Sequence, residues 1–162
     1  MDDSTVGIQV ATTGGPVLGA HQDGLAVFKG VPYAAPPVGD LRWRPAQPHP
    51  GWSGVLDATA YGASAPQPDL ERGQSVMGDH RFSSLDEDCL TLNVWTPAAD
   101  TAARPVLIWI HGGGFIVGSG TLPIYAGDTF ARDGDLVVVR INYRLRPLRF
   151  VQFWAEHAGW ET

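Results

Sequence analysis

The chain is 162 residues long, 44% hydrophobic and 17% charged, which suits one globular domain with a real core and places it among ordinary globular proteins rather than disordered ones. A formal net charge of −6 and the lack of any basic run argue against nucleic acid or an anionic membrane as partner, since both demand a basic patch. A single cysteine, Cys89, excludes an internal disulfide and any multi-cysteine metal site.

The first ten residues, MDDSTVGIQV, are acidic and hold no apolar h-region, and no apolar run approaches the roughly 20 residues of a membrane span. A cytoplasmic location is the expectation. From Val6 to Ala20, β-type stretches flank Thr12-Thr13-Gly14-Gly15-Pro16, which predicts a hairpin. A second turn at Asp23-Gly24 leads into Leu25-Ala26-Val27-Phe28, extending a small antiparallel sheet.

Between Gly30 and Pro50 the texture changes to GVPYAAPPVGDLRWRPAQPHP, whose prolines cannot donate to a ladder and hold an extended, irregular path. A solvated linker would not carry Tyr33, Leu41 and Trp43, followed closely by Trp52, so this stretch is expected to pack. Leu90 to Trp95, Val106 to Ile110 and Leu136 to Ile141 read as strands, the second an apolar run expected to be buried on both faces. Tyr125 to Asp133 reads as a short helix, completing the strand–helix–strand crossover that parallel strands require.

The run Val106-Leu107-Ile108-Trp109-Ile110 stops at His111-Gly112-Gly113-Gly114-Phe115. Three glycines in a row make sense where the chain must turn sharply and bring bare N–H groups close to a ligand. The plain alternative is a tight turn without chemistry; a phosphate-binding turn is disfavoured, because neither G-x-G-x-x-G nor a P-loop lysine is present.

HGGGF resembles the loop that supplies part of the oxyanion hole in lipases and esterases. The likeness widens with FKGVPYAAPPVGDLRWRPAQP, GWSGV, Asp57-Ala58-Thr59, then EDCLTLNVW, and after HGGGF the run Asn142-Tyr143-Arg144-Leu145. These motifs, in this order across Val6 to Leu145, are similar to the N-terminal region of type B carboxylesterases, the family of para-nitrobenzyl esterases and cholinesterases.

The resemblance implies the N-terminal portion of an α/β-hydrolase fold: a small antiparallel hairpin sheet, then strands of a central mixed sheet, ending before the nucleophile elbow. It implies a serine carboxylesterase acting through an acyl-enzyme on a small carboxylic ester, without a cofactor. Gly113 and Gly114 would donate their N–H groups to the oxyanion, with His111, Gly112 and Phe115 shaping the loop. Arg42 and Glu87 occupy positions that pair as a salt bridge in the family. If that pair were buried, losing one partner would cost about 3–5 kcal/mol. Cys89 stands where secreted members form a disulfide, and Ala65 fills the partner's place; the thiol is then a small core residue rather than a reactive group.

The family's serine stands on a G-x-S-x-G elbow after the glycine loop, and that pattern occurs nowhere in the 162 residues. Gly62-Ala63-Ser64-Ala65-Pro66 has proline where the second glycine is needed, and Ser119 lacks the pattern. His21, His49, His80, His111 and His157 include no evident base, and the acidic cluster Asp86-Glu87-Asp88 has no accompanying metal spacing. No nucleophile and no metal site are therefore expected.

After Leu145 the family continues with a glycine-rich turn, whereas this chain has Arg146-Pro147-Leu148-Arg149-Phe150. Residues 1–145 thus read as the carboxylesterase portion and 146–162 as a divergent tail, as from a truncated or frame-shifted gene. Strand edges and faces such as Val137 to Val139 would be left partly uncovered, with self-association as the consequence. A catalytically inactive remnant, inert or binding through the same pocket, is the alternative to an esterase.

Overall fold

The computed structural model describes residues 7–68 and 84–145; the expected tail at 146–162 and His80 lie outside the described residues. Strand β1 (Gly7–Thr12) turns through Thr13-Gly14 into β2 (Gly15–Gln22), and β2 turns through Asp23-Gly24 into β3 (Leu25–Pro32). Both residues of the second turn have positive φ, 50° and 79°, the two-residue geometry whose twist matches that of flanking antiparallel strands. Both turns fall where the sequence puts them.

Of the aromatic residues expected to pack the proline-rich stretch, Tyr33 and Trp43 are 38% and 48% exposed, while Trp52, just beyond it, lies against the hairpin. Trp52 donates its indole N–H to the Pro16 carbonyl at 2.8 Å, and a Cβ on Gly14 would lie 2.9 Å from its ring. The segment then adds a two-residue strand, β4 (Leu56–Asp57), parallel to β2. Next come β5 (Thr91–Thr96), β6 (Val106–Ile110), α1 (Asp128–Gly134) and β7 (Val137–Ile141).

The described strands form one sheet in the order β1-β2-β3-β5-β7-β6, with β4 off the path. β3 and β5 pair antiparallel, which joins the hairpin to the later strands, and β6 runs parallel to β7 with Val106 opposite Val137. α1 is therefore the crossover between two adjacent parallel strands. It packs Ala131 against Leu25, Val27, Trp95 and Val138 on one face of the sheet, while Val17, Ala26, Phe28 and Ala58 form the core of the other. Each of the larger side chains here, such as Leu25, Val27 and Phe28, contributes about 1.5–3 kcal/mol by leaving water.

One expectation about coverage is corrected, and a second in part. β6 is not buried on both faces: Val106, Ile108 and Ile110 are 58–62% exposed and Trp109 is 42% exposed. The reason is topological, because β6 has β7 on one side and no strand on the other among the described residues. Val137 and Val139 are half-buried, as a partly uncovered face would be, but the stretch is no sheet edge. It lies between β5 and β6, and Val138 is 2% exposed beneath α1. An apolar run fixes that a strand wants cover, but not which neighbours the chain supplies.

Candidate active site

Past Ile110, parallel β6 runs directly into the glycine loop. His111 is 3% exposed, while Gly112, Gly114 and Phe115 face outward. The backbone takes positive φ at three successive residues: Gly113 (116°), Gly114 (61°) and Phe115 (61°). Glycine adopts that region freely, whereas a bulky side chain such as Phe115 is strained there. At Gly113 the requirement is steric as well: an added Cβ would sit 1.8 Å from the Val117 carbonyl oxygen. The Gly113 carbonyl in turn accepts from the N–H groups of Ile116 and Val117, closing the loop on itself.

The N–H groups of Gly113 and Gly114 find no acceptor among the described residues. Both stand on a loop whose residues Gly112, Gly114 and Phe115 are exposed. Gly112 differs, having open space around its Cβ position and an ordinary φ.

His111 is held from three sides. Its Nδ1 lies 2.9 Å from the Gly112 carbonyl, which can only accept, so Nδ1 carries the proton in the neutral ring. Tyr143 stacks on the imidazole at 4.3 Å and donates its hydroxyl to the His111 carbonyl at 2.7 Å. Burial pushes the imidazole pKa down, and the bond to Gly112 opposes this. No hydroxyl of a serine pairs with His21, His49 or His111 among the described residues, so none of these is placed as a base.

Ser64 and Ser119, the two serines weighed from sequence, prove to be neighbours 2.7 Å apart and are both fully buried. Ser119 gives its proton to Oδ1 of Asn142 at 3.0 Å, and its oxygen accepts the Thr121 N–H. An amide oxygen cannot take a proton away as an imidazole would, so neither serine is activated here. The cluster is a brace under the loop: Asn142 Oδ1 also accepts the Gly120 N–H, and its amide group donates to the Ala63 carbonyl.

Arg42 and Glu87 do form an ion pair, with Nη2 2.7 Å from Oε2 and Nε bonding both carboxylate oxygens. The side chains are 37% and 26% exposed, so the cost expected of a buried pair does not apply; about 1 kcal/mol is the scale of a pair in such solvent contact. Cys89 lies in one cluster with Ala65, Leu90 and Tyr143, and burial first, then Asp88, pushes its thiol up to about 12. Such a thiol is inert. No group of three or more His, Cys, Asp or Glu among the described residues is placed to hold a metal.

Sequence reasoning missed Arg140. It is wholly buried on β7, over the Trp95 ring at 4.1 Å, and donates to the Leu122 carbonyl and the Tyr61 hydroxyl. Its place in the apolar run Leu136 to Ile141 gave no warning that a buried cation would be held by two rings and a carbonyl, with its Nε left without a hydrogen-bond partner among the described residues.

A mixed sheet whose parallel strand runs into a glycine loop is the N-terminal part of an α/β-hydrolase-type fold. The carboxylesterase family model matches residues 6–159, and the chain belongs to that family. It is 61% identical over 151 residues to the phenmedipham hydrolase of Pseudarthrobacter oxydans, covering 93% of this chain and 31% of that protein. To the para-nitrobenzyl esterase of Bacillus subtilis (strain 168) it is 44% identical, over 88% of this chain and 28% of the relative. Among solved structures, a Geobacillus stearothermophilus carboxylesterase superposes with a TM-score of 0.77 at 45% identity, over 86% of this chain and 27% of the other. The chain thus spans about a third or less of the length of these relatives. No helix among the described residues is long and apolar enough to cross a membrane.

Proposed function

We propose that this chain supplies the oxyanion hole of a serine carboxylic-ester hydrolase, through the N–H groups of Gly113 and Gly114. The observation that carries the reading is that these two donors are adjacent, without an acceptor among the described residues, and held by positive φ on a loop braced from below. Ester hydrolysis passes through a tetrahedral oxyanion, and preorganised donors stabilise its charge without reorganising at the moment of reaction. His111, Gly112 and Phe115 shape the loop, and Arg42 with Glu87 ties the proline-rich segment to the approach of β5.

The attacking serine, the acid and the histidine base are not supplied by these 162 residues, which contain no G-x-S-x-G. Without the nucleophile a base has no proton to take, and only the small rate owed to the hole and to binding remains. The substrate is a small carboxylic ester; the aromatic surroundings of Trp109, Phe115 and Tyr125 favour an apolar one. The name of the relative from Pseudarthrobacter oxydans makes phenmedipham a second probe.

Two measurements test this. Intact mass after exposure of the chain to a fluorophosphonate, with p-nitrophenyl butyrate hydrolysis in parallel, should give neither adduct nor appreciable turnover; a stoichiometric adduct would reveal a nucleophile in the chain. Grafting residues 6–145 in place of the matching part of the Bacillus subtilis para-nitrobenzyl esterase should give an active enzyme. In that chimera Gly113→Ala should cost about 100- to 1,000-fold in kcat. A folded chimera indifferent to the substitution would favour the inactive-remnant reading, for which the missing elbow is the support.

A further inference from the structure

The glycine loop leans on Gly118. That residue has φ 117°, and a Cβ there would lie 2.5 Å from both the Gly112 carbonyl oxygen and Nδ1 of His111. Its neighbour Val117 carries the carbonyl that closes on Gly113 and the N–H that donates to the Gly113 carbonyl. Whatever fixes the Gly118 peptide therefore fixes the wall against which His111 to Gly113 is folded.

Gln67 does so, from 51 residues away in the chain. Its Oε1 accepts the Gly118 N–H at 2.7 Å and its Nε2 donates to the Gly118 carbonyl at 3.0 Å, so one side-chain amide pairs with both polar groups of one residue as a neighbouring strand would. Nε2 also donates to the Ala65 carbonyl at 3.0 Å, which fixes the amide's own orientation. The segment that carries it is anchored in turn: the Ala63 carbonyl accepts from Asn142, and Ser64 bridges Leu85. An apolar side chain in that place could fill space but could not dictate the orientation of the Gly118 peptide plane.

We propose that Gln67 is a positioning residue for the oxyanion hole, setting through Gly118 and Val117 the direction in which the Gly113 and Gly114 N–H groups point. The inference rests on the oxyanion reading above. It adds a residue that lies outside the glycine loop and touches no reacting atom.

The test is amide NMR on the 15N-labelled 162-residue chain with two variants. Gln67→Met keeps the length and loses both bonds; Gln67→Glu keeps the acceptor for the Gly118 N–H and loses the donor. In Gln67→Met the Gly118 amide should exchange about tenfold faster, the scale of one shielded hydrogen bond. The Gly113 and Gly114 resonances should move, while those of Val27, Val94 and Val139 in the sheet stay in place. Gln67→Glu should show a smaller displacement, and carries the test alone if the methionine variant does not fold. Unmoved Gly113 and Gly114 resonances overturn the proposal, and so does a general displacement of sheet resonances with a lowered Tm, which would make Gln67 an ordinary structural contact. No substrate is involved, so a negative result leaves the ester-hydrolase reading to the chimera and labelling experiments.

Discussion

Tyr143 holds His111 twice: its hydroxyl reaches the His111 carbonyl at 2.7 Å while its ring lies nearly parallel to the imidazole, 14° away, at 4.3 Å. The first contact fixes the peptide that enters the glycine loop, and the second fixes the side chain. Tyr143→Phe keeps the stack and leaves a buried carbonyl without that donor, which should cost about 1–3 kcal/mol of stability. Urea unfolding followed by fluorescence would measure it, and an unchanged midpoint at unchanged m would show the bond to be dispensable.

The three glycines are not equivalent. Gly113→Ala meets the Val117 carbonyl at 1.8 Å from a backbone at φ 116°, so the loop must open or the chain loses stability, by about 3 kcal/mol or more. Gly112→Ala enters open space at an ordinary φ and should change stability by less than about 0.5 kcal/mol. The pair of melting curves decides between a loop built around Gly113 and a merely flexible Gly-rich turn, for which both substitutions would behave alike.

Much of the fold was legible because the signals were local. The turn at Asp23-Gly24 and the apolar runs at Val106 to Ile110 and Leu136 to Ile141 state their structure within a few residues. What was not legible depended on partners distant in sequence. Nothing local marks Gln67 before Gly118 is seen beside it, and Arg140 is a lone cation in an apolar run until Trp95 and Tyr61 are placed around it. Ser64 and Ser119 could be set aside as nucleophiles for want of a motif, but their mutual bond 55 residues apart in sequence was invisible. The exposure of β6 was missed for the same reason, since a strand's burial depends on which strands stand next to it.

The depressed pKa of His111 gives stability a defined pH dependence. Burial disfavours the imidazolium in the folded chain, so the unfolded chain binds the proton more readily. The contribution is fully present above the ordinary imidazole pKa of 6.5 and is lost as pH falls from there through the folded-state value. Stability should therefore drop more steeply between pH 7 and pH 5 in the natural chain than in His111→Gln, which has no such proton to bind. Parallel unfolding curves at the two pH values, with equal slopes for both proteins, would remove His111 as the cause.

The 162-residue polypeptide in isolation should self-associate through β6. Val106, Ile108 and Ile110 are on one face and each is more than half exposed, Trp109 is 42% exposed on the other, and no strand lines the outer edge among the described residues. An apolar edge strand presents its unpaired N–H and C=O groups as a template for another strand, and natural edges avoid this by carrying charge. A second copy can satisfy both needs by pairing β6 to β6 across a two-fold axis. Light scattering during size-exclusion chromatography should find dimers or larger species whose population rises with concentration. Ile108→Lys places a charge in the middle of the edge and should shift the chain to monomer. A compact, cooperatively unfolding monomer at every concentration would mean that the edge is covered by other residues of the same chain.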